Sequence, residues 1–368
     1  MKKVLIAPDS FKGTLSSREV CTVVSEVLKK KYPDVIIKEI PVADGGEGTA
    51  EAIYHSLGGE RVYLRVKSPL GREIDAYFLL LLGDKTAVIE SALASGLTLE
   101  EKNDALLASS YGTGQLIKAA LDKGAERLVI GIGGSAMTDG GTGCLAALGA
   151  RFLDKEGNPL EPCGKNLVRI KSIDLSGLDK RITDCKITVL CDVKNPLYGK
   201  NGAAYIFAPQ KGATERDVEL LNEGLMNFAG KAQAILGEDF SFCEGSGAAG
   251  GLGFSLRAFL KAEIKSGIDC VLDLCNFERE SENADLVITG EGRLDSQSLM
   301  GKVPFGVAKR CKGRRLLALV GISTATKEEL MKAGICEVVE TNSLHLPFDE
   351  IKHCAKDMLY AAAEKIKL

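Results

Sequence analysis

Short apolar runs alternate with polar, glycine-bearing loops and amphipathic segments, and that rhythm predicts most of the elements of this chain. Val4 to Ala7 is a compact apolar run expected to be a buried first strand, and it ends in the polar loop Pro8-Asp9-Ser10-Phe11-Lys12-Gly13-Thr14. Ser16 and Glu19 have the spacing of a capping box, after which Val20, Val23, Val24, Val27 and Leu28 recur at helical intervals up to Pro33. Val35 to Ile40 predicts a second strand, followed by the loop Asp44-Gly45-Gly46-Glu47-Gly48-Thr49 and another helix towards Leu57. An alternation of this kind predicts an α/β fold with mostly parallel or mixed sheets, in which the loops after strands gather at one edge.

The period changes between Gly59 and Glu90. Val62 to Val66, Ile74 to Leu82 and Thr86 to Ile89 predict antiparallel strands joined by Pro69-Leu70-Gly71 and Gly83-Asp84. Thr113 to Leu121 predicts a helix, and Leu128 to Ile130 a strand that runs into a dense glycine loop from Gly131 to Gly143. Ile187 to Cys191 is expected to be a buried strand ending at Asp192, and Thr214 with Asp217 caps a long amphipathic helix that stops at Gly237. Leu286 to Thr289 predicts a strand feeding the loop from Gly290 to Ser298, and Leu316 to Val320 and Glu337 to Val339 complete the strands. The last third alternates as the first does. The two are therefore expected to form one discontinuous domain, 1–65 plus 265–368, around an inserted domain, 66–264.

Composition narrows the function. The 47 basic and 50 acidic residues leave a formal net charge of −3, which gives no electrostatic reason to expect nucleic acid or an anionic membrane surface and leaves a small molecule as the expected partner. The 41 glycines exceed the usual ~7% and sit in clusters between apolar runs, marking special backbone loops. Eleven cysteines form no C-x-x-C pair, so they read as reduced thiols of a cytoplasmic protein, not as a disulfide framework or zinc site. No run is long enough for a membrane span, and nothing decides between a monomer and a homo-oligomer.

The chemistry concentrates in the loops. Asp44-Gly45-Gly46-Glu47-Gly48-Thr49 and Asp139-Gly140-Gly141-Thr142-Gly143 echo one another: an acid followed by glycines at a helix start can hold a cation or a hydroxyl while the amides hold an anion. The same layout also describes two helices with Asp as N-cap. Strand-end acids recur at Asp9, Asp44, Asp192, Glu291 and Asp295, with Lys12, Lys211 and Lys302 in similar loops. Phosphoryl transfer needs those parts: cations, a phosphate cradle and an acid to orient or deprotonate a hydroxyl. Gly131, Gly133 and Ala136 also satisfy the dinucleotide fingerprint G-x-G-x-x-A, with Asp154 at about the distance of a ribose-binding acid, so an NAD(P)-dependent dehydrogenase of a small hydroxy acid is the rival reading. No P-loop, kinase H-R-D or H-E-x-x-H pattern occurs.

Eight segments in order, APDSFKGTLSS (7–17), PVADGGEGT (41–49), SYGTGQLI (110–117), GIGGSAMTDGGTG (131–143), DVKNPLYG (192–199), APQKGA (208–213), GAAGGLG (247–253) and TGEGRLDSQSLMGKVP (289–304), resemble the bacterial glycerate kinase family that includes the glycerate 2-kinases. The resemblance implies ATP-dependent phosphorylation of D-glycerate with Mg2+, leaning to O2 over O3, on two α/β domains described as flavodoxin-like and restriction-enzyme-like with a cleft between the domains. The family pattern usually has Asn where this chain has Thr138. On this reading Asp9, Ser10, Asp44, Glu47 and Lys302 are substrate-binding candidates. Gly133, Gly134, Ser135, Asp139 and Gly140 are the ATP-binding candidates, and Asp44 and Glu291 the metal ligands. Asp192, Asp295, Lys12 and Lys211 are the catalytic candidates, with Asp192 or Asp295 favoured as base.

Overall fold

The computed structural model describes residues 1–295 and 302–368. The chain divides into two compact units, one made of residues 1–44, 51–58 and 266–368 and the other of residues 45–50 and 59–265. In chain order the elements begin with β1 (Lys3–Pro8), α1 (Ser17–Lys31), β2 (Ile36–Glu39) and α2 (Thr49–Leu57). There follow β3 (Glu60–Lys67), β4 (Glu73–Leu81), β5 (Thr86–Glu90), α3 (Ala92–Ser95), α4 (Tyr111–Asp122), β6 (Arg127–Gly131) and α5 (Thr142–Ala147). Next come β7 (Arg151–Leu153), β8 (Ser172–Asp174), β9 (Lys186–Leu190), α6 (Ala203–Phe207), α7 (Glu215–Leu236), α8 (Leu252–Leu260) and β10 (Glu263–Lys265). The chain closes with α9 (Gly267–Leu274), α10 (Phe277–Ser281), β11 (Leu286–Leu294), α11 (Val303–Cys311), β12 (Leu316–Ser323), α12 (Lys327–Lys332), β13 (Glu337–Glu340) and α13 (Phe348–Ala363).

The first unit is a five-stranded parallel sheet in the order β13-β12-β11-β1-β2. Numbered within the unit this is the doubly wound order 2-1-3-4-5 of flavodoxin-like folds, and its topological switch point lies between β1 and β11. The capping box of α1 forms as the sequence predicts: the Glu19 amide donates to Ser16 Oγ at 3.2 Å and the Ser16 amide to Glu19 Oε2 at 2.8 Å. The helix buries Val20, Val24 and Val27 with Leu359 and Ala362 of α13 against Val4, Ile6, Ile288 and Leu319 of the sheet. On the sequence reading the strand after Asp285 stops at Thr289, but β11 continues to Leu294 and pairs with β12 as far as Leu294 opposite Ser323. The glycines that resemble a loop are there because two backbones meet: a Cβ on Gly290 would lie 2.1 Å from the Leu319 carbonyl oxygen.

The second unit carries a mixed six-stranded sheet, β10-β9-β6-β5-β4-β3, parallel from β10 to β5 and antiparallel from β5 to β3, plus the ribbon β7-β8. Because β3 pairs with β4 along its whole length, residues 60–65 fall in this unit and not with the first strands, where the sequence reading sets them. The apolar stripe of α7 is core: Leu221, Leu225 and Phe228 are buried, and Phe228 meets the rings of Phe152, Phe254 and Phe259 at centroid distances of 5.8, 5.6 and 6.0 Å. Phe228→Ala is expected to cost this unit about 4 kcal/mol through lost burial and a residual cavity. Denaturant unfolding should show a lower midpoint with an almost unchanged slope.

Candidate functional site

In the first unit the parallel register brings the ends of β1 and β11 together at the switch point. The Asp9 amide donates to the Gly290 carbonyl at 2.8 Å, and the loop beyond closes on itself through Phe11 N to Leu15 O at 2.8 Å and Thr14 Oγ1 to Phe11 O at 2.7 Å. A cavity of about 450 Å³ opens there, lined by Asp9, Ser10, Phe11, Lys12 and Thr14 of the loop, Glu291, Gly292 and Arg293 of β11, Gly321 and Ile322 of β12, Lys302, and Thr341 and Asn342 after β13. Leu346, Phe348, Ile351 and Ala355 supply an apolar wall.

The polar side of this cavity is an acid cluster around one lysine. Asp9 is only 6% exposed, and burial, with the Asp44 charge adding to it, pushes its carboxyl up to about 7 against the pull of Lys12 and the Ser10 amide. Lys12 Nζ lies 3.5 Å from Asp44 Oδ2, and Asp44 first, then Asp9 and Glu291, hold its ammonium above the ordinary lysine range although burial opposes them. Glu291 is buried on β11, while Asp295, just past its end, lies 3.7 Å from Arg293 Nε. Asp9, Ser10, Lys12, Asp44, Glu291 and Lys302 are thus brought together, with Asp295 beside Arg293 at the rim. Residues 296–301 of the motif TGEGRLDSQSLMGKVP lie outside the described residues.

The second unit organises the long glycine loop differently from the sequence expectation. Asp139 has no exposed surface, and its carboxylate accepts from Ser110 N and Ser110 Oγ at 2.8 Å each and from Gly141 N and Gly143 N at 3.0 Å each. Burial pushes this carboxyl up while those donors draw it back. Gly140 is equally interior, since a Cβ there would meet the Phe228 ring at 2.9 Å. Lys211 is 1% exposed, donates to Ser135 Oγ at 3.0 Å and Met137 O at 2.6 Å, and is lowered to about 7 by burial. Asp139, Gly140 and Lys211 therefore shape the loop from within. Its accessible part is Gly134, exposed at φ +71°, and half-buried Gly133, with Ser135 behind them. Glu47 and Asp192 are both exposed. Thr138, where the family pattern has Asn, is fully buried, and its hydroxyl finds no partner among the described residues.

Sequence reasoning passed over Arg293, Asn342 and Phe348 of the first unit and Glu90 and Ser110 of the second. Glu90 closes β5 and so fits the strand-end-acid pattern already applied to its neighbours; Asn342 and Phe348 carry no local signal, because only the return of β13 and α13 to the sheet edge brings them in.

Comparison with known proteins decides the family. A sequence profile described as the glycerate kinase family matches residues 4–368. A glycerate kinase of Bacillus subtilis (strain 168) is 49% identical over all of this chain and 98% of its own length, and a glycerate 2-kinase of Escherichia coli (strain K12) is 44% identical over 99% of this chain and 97% of its own. The chain belongs to the glycerate kinase family. A crystal structure from Salmonella typhimurium LT2, described as a presumed glycerate kinase 2, superposes with a TM-score of 0.86 at 41% identity and covers 99% of this chain and 96% of its own. Membership in this family makes the protein a phosphotransferase, as the eight ordered motifs imply, and sets aside the dehydrogenase. The geometry agrees: Gly131 and Gly133 are covered by the backbone of Gly45 and Gly46, and no helix starts until Thr142. Asp154 caps a turn, accepting from the amides of Glu156 and Asn158 at 3.0 and 2.9 Å, and pairs with Arg169 at 3.9 Å. A turn-capping acid of this kind leaves the ribose role empty.

Two substitutions separate internal from chemical roles. Asp139→Asn leaves one oxygen for four donors and places an NH2 group against others, so stability should fall by about 3 kcal/mol. Differential scanning calorimetry would register this independently of activity. Asp9 has the opposite sign. Between its ordinary 3.8 and about 7 the unfolded chain is ionised while the folded one keeps its proton, so folding binds a proton and stability falls as pH rises. Asp9→Asn removes this cost, and its gain over the wild type should grow by up to ~1.4 kcal/mol per pH unit across that window and level off above it. Urea unfolding at pH 5 and pH 8 gives the two values to compare.

Proposed function

We propose that this protein transfers the γ-phosphoryl group of ATP to the 2-hydroxyl of D-glycerate, giving 2-phosphoglycerate and ADP. The observation that carries this reading is the cavity at the switch point, where open α/β sheets bind ligands: Asp9, Lys12 and Glu291 line it, and Asp44 pairs with Lys12. The name of the Escherichia coli relative, glycerate 2-kinase, supports O2 as the acceptor.

D-Glycerate sits in the first unit's cavity with its carboxylate toward Lys12, Arg293 and Lys302 and its hydroxyl hydrogen-bonded by Ser10 or Asn342. A three-carbon acid fills a fraction of the space, which leaves room for the incoming phosphoryl group. Among the acids, Asp9 is the best placed to take the hydroxyl proton, since it lines the cavity and its carboxyl lies near 7, the range in which a general base works at neutral pH. Asp295, next to Arg293, then acts as a supporting charge.

The donor's phosphates are assigned to the accessible turn Gly133-Gly134, with Ser135 and Lys211 behind it. Mg2+ prefers one or two carboxylates together with phosphate oxygens and water, and Asp44 and Glu291, both of which act on the Lys12 ammonium, are the carboxylates assigned to it. Those two would hold the ion, which would neutralise phosphate charge. A cytoplasmic location is supported by the eleven free cysteines, and no described helix is long and apolar enough to cross a membrane.

The test is ADP release from MgATP and D-glycerate, with phosphorus NMR of the product to read the position of the ester. If Asp9 is the base, kcat/KM rises with pH through about 7 and is flat above it. Asp9→Asn should lose that limb and roughly 10²- to 10⁴-fold of turnover, while Asp192→Asn and Asp295→Asn lose less. Near wild-type turnover in Asp9→Asn would transfer the role to another acid, and no ADP release from the wild type would sink the kinase reading.

A further inference from the structure

In the second unit, the segment Gly45–Ala50 lies against the glycine loop after β6 more closely than any side chain allows. A Cβ on Gly131 would be 2.6 Å from the Gly45 carbonyl oxygen, and one on Gly133 2.7 Å from Gly46 Cα. The Gly133 amide donates to that same Gly45 oxygen at 3.2 Å. The position of Gly133, and of Gly134 after it, is therefore tied to the position of residues 45 and 46. Such a contact keeps its geometry only if the segment is held elsewhere as well.

Glu90 holds it. The side chain is 3% exposed at the end of β5; Oε1 accepts from Gly48 N at 3.0 Å and Oε2 from Ala50 N at 3.1 Å. A buried carboxylate is costly unless donors surround it, so the charge and the bend of the segment stabilise each other. We infer that Glu90 is a positioning residue for phosphoryl transfer: by holding the amides of Gly48 and Ala50 it sets Gly45 and Gly46, and through them the accessible turn at Gly133 and Gly134. This rests on the assignment of the donor's phosphates to that turn. Glu90 touches neither substrate, and its influence on the reaction passes through backbone. Burial raises its carboxyl to about 7, and the amides offset only part of that rise.

The experiment compares the full-length wild type with Glu90→Gln, which keeps shape and one accepting oxygen, and Glu90→Ala, which keeps neither. Hydrogen exchange of peptides covering residues 45–50 should accelerate in both. The KM for MgATP should rise roughly ten-fold in Glu90→Gln, as for other residues that orient a contacting group, with kcat changed less. In Glu90→Ala, kcat/KM for MgATP should fall about 100-fold. A purely structural role would lower the melting temperature and speed exchange while leaving the kinetic constants of the folded fraction unchanged, and that result overturns the proposal. Unchanged exchange overturns it too. A wild type that releases no ADP would instead refute the kinase reading; calorimetric binding of a non-hydrolysable MgATP analogue to the same three proteins then decides the positioning role, equal affinities rejecting it.

Discussion

A buried carboxylate surrounded by backbone amides is the interaction on which the loops of the second unit depend. Asp139 takes four donors from Ser110, Gly141 and Gly143, and Glu90 takes two from Gly48 and Ala50. Neither acid faces solvent. Taking such a charge out of water is unfavourable unless the chain bends its N–H groups inward, so each acid both requires its loop's shape and stabilises it. The glycines complete the device, because only backbone without a side chain can approach as closely as Gly133 does to Gly46.

The first unit uses its acids in the opposite sense. Asp9, Asp44 and Glu291 converge on Lys12 beside a cavity, and among the described residues the Asp9 carboxyl accepts from the backbone of Ser10. A carboxylate that is buried, crowded by a like charge and thinly solvated by amides becomes a weaker acid, and so a better proton acceptor near neutrality. The two units thus place their acids differently: one surrounds carboxylates with amides, the other gathers them around a lysine beside a cavity. The doubly wound sheet supplies the place, since β1 and β11 diverge to opposite connections at the switch point and leave their ends uncovered.

The division was only partly legible in the chain. Capping boxes at Ser16 and Thr214, the strands led by Val4 and Leu128, and the stripe of α7 follow from spacing alone, because helix and strand periods are local properties. The motif order sufficed for the family. The functional weight of individual residues was less visible: Asp139, which the glycine pattern marks as a nucleotide or metal contact, is interior, and Lys211, marked as catalytic, is buried and donates to Ser135 and Met137. Sequence records that an acid or a lysine stands at a loop, not whether the loop closes over it.

What the sequence determined by itself was therefore the alternation of elements, the capped helices, the α/β class and the set of loops that carry chemistry, each of them encoded in residues a few positions apart. The tertiary structure alone decided that β11 runs on through Gly290 and Gly292, that residues 60–65 join the mixed sheet, and that Phe348 and Asn342 reach a cavity opened by residues 9–14. It also decided which acids are held by several amides and which line a cavity. Burial and close backbone approach depend on segments tens to hundreds of residues apart, and a local pattern contains no information about what will be packed on top of it.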